Sequence, residues 1–119
     1  MSAMDLAVKR VYDEPAETDG YRVLVDRLWP RGLSKDRAAL DEWVKELGPS
    51  TELRKWFGHD VAKWQGFREK YRAELAGAAD LWRPIVAKAR SEKVTLLFGA
   101  SDSDHNQAVV LQEFLLEQR

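Results

Sequence analysis

The sequence contains no cysteine, and that one absence removes thiolate catalysis, disulfide scaffolds and cysteine-ligated zinc together. It also agrees with a reducing compartment. Long apolar runs are missing as well. No segment could span a bilayer, and Met1 to Lys9 lacks the continuous apolar stretch of a signal peptide. The expectation is a cytoplasmic protein with no membrane contact. An excess of charge of one sign is absent too, since 19 Lys and Arg stand against 20 Asp and Glu, for a formal net charge of −1. The signs are interspersed, without the basic stripe that follows a nucleic-acid backbone. That counts against nucleic acid as a partner, but not against one small anion pocket. Histidine is scarce: there are two, with no H-E-x-x-H and no clustered carboxylates. Neither a metal site nor a cofactor is expected.

What is present is an ordinary globular composition, 45% hydrophobic and 33% charged over 119 residues. A chain of this length forms one domain and buries roughly two-thirds of its unfolded surface, enough for a core without staples. There is no internal repeat, no low-complexity stretch, and nothing that sets an oligomeric state.

Leu6 to Tyr12 reads as a first strand, and Asp13 to Gly20, with Pro15 and a final Gly, as a loop. Tyr21 to Leu28 is the best strand of the N-terminal half, apolar on both faces at its middle. Alternation places Val23, Val25 and Arg27 on one face. Trp29-Pro30-Arg31-Gly32 stops it. Ser34 caps a short helix, while Leu40 to Leu47 fits either a buried helical face or a short strand.

Ser50 caps a helix through Phe57, Gly58 closes it and Asp60 caps the next. Trp64, Phe67, Tyr71 and Leu75 step by three and four residues, the clearest helix in the chain, with Gly77 as its stop. A further helix is capped by Asp80, turns Leu81, Ile85 and Ala89 inward, and carries Pro84 as its fourth residue. Val94 to Phe98 is a second buried strand. Asp104 and Gln107 form a D-x-x-Q capping box for a last helix with Val110, Leu111, Phe114 and Leu115 inward. Strands separated by helices of this length predict an α/β fold, a single compact domain with a small, partly parallel sheet flanked by helices.

Ligands of open α/β sheets sit beyond the carboxyl ends of the strands, beside helix N-termini. Two loops qualify, Asp26 to Gly32 and Gly99 to Asn106. If strands Tyr21–Leu28 and Val94–Phe98 are parallel neighbours, both loops emerge on one edge. Arg27 and Arg31 then hold a phosphate or carboxylate, Trp29 walls the pocket, His105 is the proton carrier, Asp102 orients it, and Asn106 positions the ligand. Each residue has a plainer reading. Arg27 can equally anchor the neighbouring loop, because a charge in a buried strand needs partners in either case. Asp104 reads as a cap, His59 as a helix connector, and the Arg54-Lys55 and Arg68–Arg72 charges as solvated helix faces. Trp43, Trp56 and Trp64 read as core.

Three stretches carry a resemblance. Leu24-Val25-Asp26-Arg27-Leu28-Trp29-Pro30-Arg31-Gly32 is one; a second is Gly48-Pro49-Ser50-Thr51-Glu52-Leu53-Arg54-Lys55-Trp56-Phe57 with His59-Asp60. The third is Val94 to Phe98 followed by Asp104-His105-Asn106-Gln107-Ala108. Together they resemble the YeaO-like branch of domain-of-unknown-function family 488, over about Val8 to Leu116. The resemblance implies no established activity. Other branches are similar in this last loop but carry Cys-His-Arg where this chain has Asp104-His105-Asn106, which leaves His105 alone in common and speaks against thiol chemistry. Three functions compete: a small enzyme or ligand-binding domain for a phosphate- or carboxylate-bearing molecule, a non-catalytic interaction or regulatory domain, and, last, nucleic-acid binding.

Overall fold

A computed structural model describes residues 3–118. Four strands, Leu6–Arg10 (β1), Tyr21–Leu24 (β2), Glu42–Trp43 (β3) and Val94–Phe98 (β4), form one sheet in the order β1-β4-β2-β3. Every neighbouring pair is parallel, so the sheet expected to be partly parallel is wholly so. β4 is buried along its whole length because it lies between β1 and β2. Beside the sheet the described chain has five α-helices, Lys35–Ala38 (α1), Thr51–Phe57 (α2), Trp64–Ala76 (α3), Ala79–Ser91 (α4) and Gln107–Leu116 (α5), and three single turns of 3-10 helix. None is long and apolar enough to cross a membrane.

Strand alternation gives the sheet two unlike faces. Leu6, Val23, Val94, Leu96 and Phe98 join the larger core with Leu53 and Phe57 of α2, Phe67 and Tyr71 of α3, Ile85 of α4 and Leu111 of α5. On the other face Leu24 and Leu97 form a smaller core with Val11, Leu33 and Ala38, edged by the partly buried Tyr12, Trp29 and Leu40. The rest of that face is polar. Arg22 and Asp19 are buried there and pair at 2.5 Å, while the Arg22 guanidinium also donates to the carbonyls of Ala38 and Ala39 at 2.8 and 3.0 Å. Lys9 reaches Asp19 at 3.1 Å, and the Thr95 hydroxyl donates to the Asp19 carbonyl at 2.6 Å. Burial pushes the Asp19 carboxyl up, but hydrogen bonds from Ala16 N–H, Lys9 and Arg22 outweigh it and hold the group below its ordinary value. A buried pair is worth keeping only when its remaining donors and acceptors are met, and here they are.

Several local expectations are corrected. β1 ends at Arg10, although Val11 N–H still reaches the Phe98 carbonyl at 2.8 Å. β2 ends at Leu24 rather than Leu28; the last ladder bond is from Val25 N–H to Leu97 at 3.0 Å. Beyond it the Asp26 and Arg27 side chains bond to other loops, so Arg27 does not share a strand face with Val23 and Val25. The ambiguous segment from Leu40 is both things in turn, the two-residue edge strand β3 and then one turn of 3-10 helix over Lys45–Leu47.

α4 begins at Ala79 with Ala78 at its cap position, so Asp80 is the second helical residue and Pro84 the sixth. Its buried face is Trp82, Ile85, Val86 and Ala89, with Leu81 only partly covered. The Trp82 indole donates to the Leu75 carbonyl at 2.8 Å, which ties α4 back to the end of α3. α5 is capped by Asn106, not Asp104: the Asn106 side chain accepts from Val109 N–H at 3.2 Å. Trp43 and Trp56 are not core, being 38% and 39% exposed. The caps at Ser34 and Ser50, the stop at Gly77 and the left-handed close at Gly58 (φ 53°) stand as expected.

Candidate functional site

The carboxyl ends of β1, β2 and β4 open onto one cavity of about 410 Å³. Because β2 and β4 are parallel neighbours, the loops after them leave on the same edge, and both line this cavity. α2 closes a further side, since burying Leu53 and Phe57 brings Arg54 and Lys55 to the edge of the buried face. Phe57 stacks on Phe67 of α3 with ring centroids 4.4 Å apart, and both rings line the cavity. The buried part of the lining is therefore largely aromatic and prolyl, and the exposed part is cationic.

Asp26 is the acid of this site. Its carboxylate accepts from Gly99 N–H at 2.8 Å and from the side-chain amide of Gln107. Its backbone carbonyl accepts from the Trp43 indole at 2.7 Å, which fixes the turn at the end of β2. Among the described residues no Lys, Arg or His lies within ion-pair distance of the carboxylate. Burial pushes it up to about 6, against the two hydrogen bonds and the more distant Arg54 guanidinium, which lower it.

His105 lies on the opposite loop. Its Nδ1 is 2.9 Å from Asp102 Oδ2, and its ring meets Trp64 edge-on with centroids 5.1 Å apart. The carboxylate at Nδ1 favours the proton there and leaves Nε2 with a lone pair. Asp102 also accepts from the backbone N–H groups of Asp104 and His105, at 2.9 and 3.1 Å. The Asp104 N–H first, and then the two contacts with His105, outweigh desolvation and hold the Asp102 carboxyl below its usual value.

Of the residues nominated from sequence, Arg27, Trp29, Arg31, His105 and Asn106 all line the cavity, while Asp102 is not part of the lining and stands behind the His105 imidazole. They do different work. Arg27 donates to the carbonyls of Pro49 and Gly48 at 2.9 and 3.0 Å, so its guanidinium holds the loop before α2. Asn106 is buried; its amide donates to the Asp102 carbonyl at 2.9 Å and its oxygen caps α5. Trp29 donates to the Leu33 carbonyl at 2.7 Å and packs edge-on against Trp43. The Arg31 carbonyl takes the Tyr12 hydroxyl at 2.6 Å, and its exposed guanidinium has no acidic partner among the described residues.

Four charged or imidazole-bearing lining residues were not among the site residues nominated from sequence: Asp26, Arg54, Lys55 and His59. Arg54 had a readable signal, since it directly follows Leu53 and lies three residues before Phe57, both inward-facing on α2. His59 follows Gly58 in a second consecutive left-handed conformation (φ 59°), an uncommon geometry for a residue with a side chain. That pair of turns brings the imidazole back to the cavity, 6.3 Å from the Phe57 ring. The Arg68 and Arg72 charges are not merely solvated; they pair with Glu113 and Glu117 and tie α3 to α5. Among the described residues no three His, Asp or Glu side chains gather as metal ligands.

A wholly parallel α/β domain with a cation-lined cavity at the carboxyl edge of its sheet is the class this architecture defines. The chain belongs to the family described as the inactive DUF488-N3 subclade, which it matches over residues 5–119. It is 48% identical over 112 residues to the uncharacterized protein YeaO of Escherichia coli, covering 94% of this chain and 97% of that one. It is 43% identical over 108 residues to the uncharacterized proteins Mb3100c of Mycobacterium bovis and Rv3073c of Mycobacterium tuberculosis, covering 91% of each chain. No solved structure matches it.

Proposed function

We propose that this protein binds a small phosphate- or carboxylate-bearing ligand in the cavity at the carboxyl edge of the sheet and holds it without turnover. The observation that carries this reading is the set of three cations, Arg31, Arg54 and Lys55, that line one concave site with no acidic partner within ion-pair distance among the described residues. Unpaired guanidinium and ammonium groups around a cavity attract anions and hold them by charge-assisted hydrogen bonds. His105 adds a fixed imidazole, held from behind by Asp102. The family's description as inactive, together with the lack of any cysteine, supports binding rather than catalysis.

The test is a thermal-shift series with phosphate, sulfate and small carboxylates against chloride, on wild type, Arg54→Ala and His105→Ala. A ligand at about a hundred times its dissociation constant adds roughly 2.7 kcal/mol, readily seen in a domain of this size. A shift with one class of anion, reduced in Arg54→Ala, supports the reading. No shift with any anion rejects it. The alternative, a non-catalytic interaction domain, has one observation in its favour: Leu28, 60% exposed, and Trp43 leave apolar surface beside the edge strand β3. It gains if the anions do nothing.

A further inference from the structure

Resting on that reading, we infer that the ligand has two unlike ends: a phosphomonoester taken by Arg31, Arg54 and Lys55, and an N–H donor group received by Asp26, the combination that a nucleoside monophosphate carries. The argument begins with what Asp26 does to a bare anion. An unpaired carboxylate in the wall of a cavity repels phosphate or sulfate wherever the two approach. An anion held by the cations therefore cannot account for Asp26, and the part of a ligand that meets this carboxylate must bring a donor. Each Asp26 oxygen already takes one protein donor, Gly99 N–H on Oδ2 and the Gln107 amide on Oδ1. A carboxylate offers about four acceptor sites, so one remains on each oxygen.

The lining around the carboxylate says what kind of body would join the two ends. Trp29, Phe57 and Phe67 present aromatic surface to the cavity, with Phe57 and Phe67 themselves buried. A flat group with N–H donors on its edge suits such walls, and small-molecule sites combine largely apolar walls with a few placed polar groups in this way. A cavity of about 410 Å³ is far larger than a bare phosphate needs. Three cations without acidic partners also exceed what a single carboxylate would balance, which favours the double charge of a phosphomonoester over a zwitterionic amino acid. Asp26 then acts as the selector: a ligand lacking the donor covers the carboxylate without meeting the acceptor positions that Gly99 and Gln107 leave open, and that loss discriminates more sharply than any gain in apolar contact.

The experiment is calorimetric titration of the full chain with inorganic phosphate, ribose 5-phosphate and the 5′-monophosphates of adenosine, guanosine, cytidine and uridine. At least one nucleotide is expected to bind about tenfold tighter than ribose 5-phosphate. In Asp26→Asn, shown folded by its melting curve, that preference should vanish while ribose 5-phosphate binds no more weakly than before. In Arg54→Ala both should weaken by a similar factor. If wild type binds the nucleotides and ribose 5-phosphate alike, the inference falls and the anion-binding reading stands. If none of the phosphates binds, the inference falls together with the phosphate half of the reading, and the carboxylates of the thermal-shift series decide the other half. The wild-type comparison decides between these outcomes without any variant.

Discussion

Gly99 lies so close to Asp26 that its N–H donates to Oδ2 at 2.8 Å, and a Cβ built on it would fall 2.7 Å from that same oxygen. The loop after β4 thus grips the turn after β2 at a point where any Cβ would have to push the carboxylate aside. Replacing Gly99 with Ala forces the carboxylate off both its donors and should cost about 1–3 kcal/mol in urea unfolding, with weakened ligand binding. Gly20 offers the comparison. It has φ 67°, and a Cβ there would meet the Lys93 backbone carbonyl at 2.4 Å, so Gly20→Ala should cost more, with no specific effect on binding.

Asp26 also predicts a pH dependence. Its carboxyl ionises near 3.8 in the unfolded chain and at about 6 in the fold, so the folded state holds the proton more tightly. The stability gained is present in full below about pH 4 and is lost as pH rises to about 6, by roughly 3 kcal/mol for a shift of about two pH units. Asp19, held below its ordinary value, acts in the opposite sense and only below about pH 4. Urea unfolding from pH 4 to 7 should show the fall in wild type and a flattened profile in Asp26→Asn. An unchanged slope in the variant would assign the effect elsewhere.

The two arginines on either side of Gly48-Pro49 should separate cleanly. Arg27 bonds to two backbone carbonyls, so Arg27→Ala leaves both short of a donor and should lower stability by roughly 2–3 kcal/mol. The Arg54 guanidinium makes no hydrogen bond among the described residues, the residue bonding only through its backbone to Ser50 and Gly58, and Arg54→Ala should stay within about 0.5 kcal/mol while weakening anion binding. Paired melting curves and titrations read both effects.

The cap of α5 can be assigned the same way. Asn106→Ala should cost about 1–2 kcal/mol, because a buried cap and its amide bond to the Asp102 carbonyl disappear together. Asp104, exposed and not bonded to the helix through its side chain, should tolerate Ala within about 0.5 kcal/mol. Equal losses at the two positions would return the cap to Asp104.

Much of this could be read from the chain because it rests on local rules. The α3 face of Phe67, Tyr71 and Leu75, the caps at Ser34 and Ser50, and the buried run Val94 to Phe98 depend only on period and on nearby backbone groups. The carboxyl edge as the place for a site followed from strands taken as parallel. What local rules could not give was where a side chain spends its hydrogen bonds. Arg27 is committed to Gly48 and Pro49, 21 and 22 residues away, and Asp26 to Gly99 and Gln107, 73 and 81 residues away. Asp104 and Asn106 both precede the last helix with cap-forming side chains, and the choice between them was made by the turn that Asp102 builds. Arg54 and Lys55 were taken for solvent because nothing nearby in sequence says that a cavity lies in front of α2.

The sheet order carries a consequence for how the chain is made. β1 and β2 are synthesised first, yet each lies against β4, which begins at residue 94 of 119. Until that segment leaves the ribosome, β1 has no strand beside it and β2 has only the two-residue β3. The nascent N-terminal half is therefore an unfinished half-sandwich with open edges, and cooperative folding waits on the last quarter of the chain. A message truncated shortly before Val94 would yield not a smaller domain but a chaperone client.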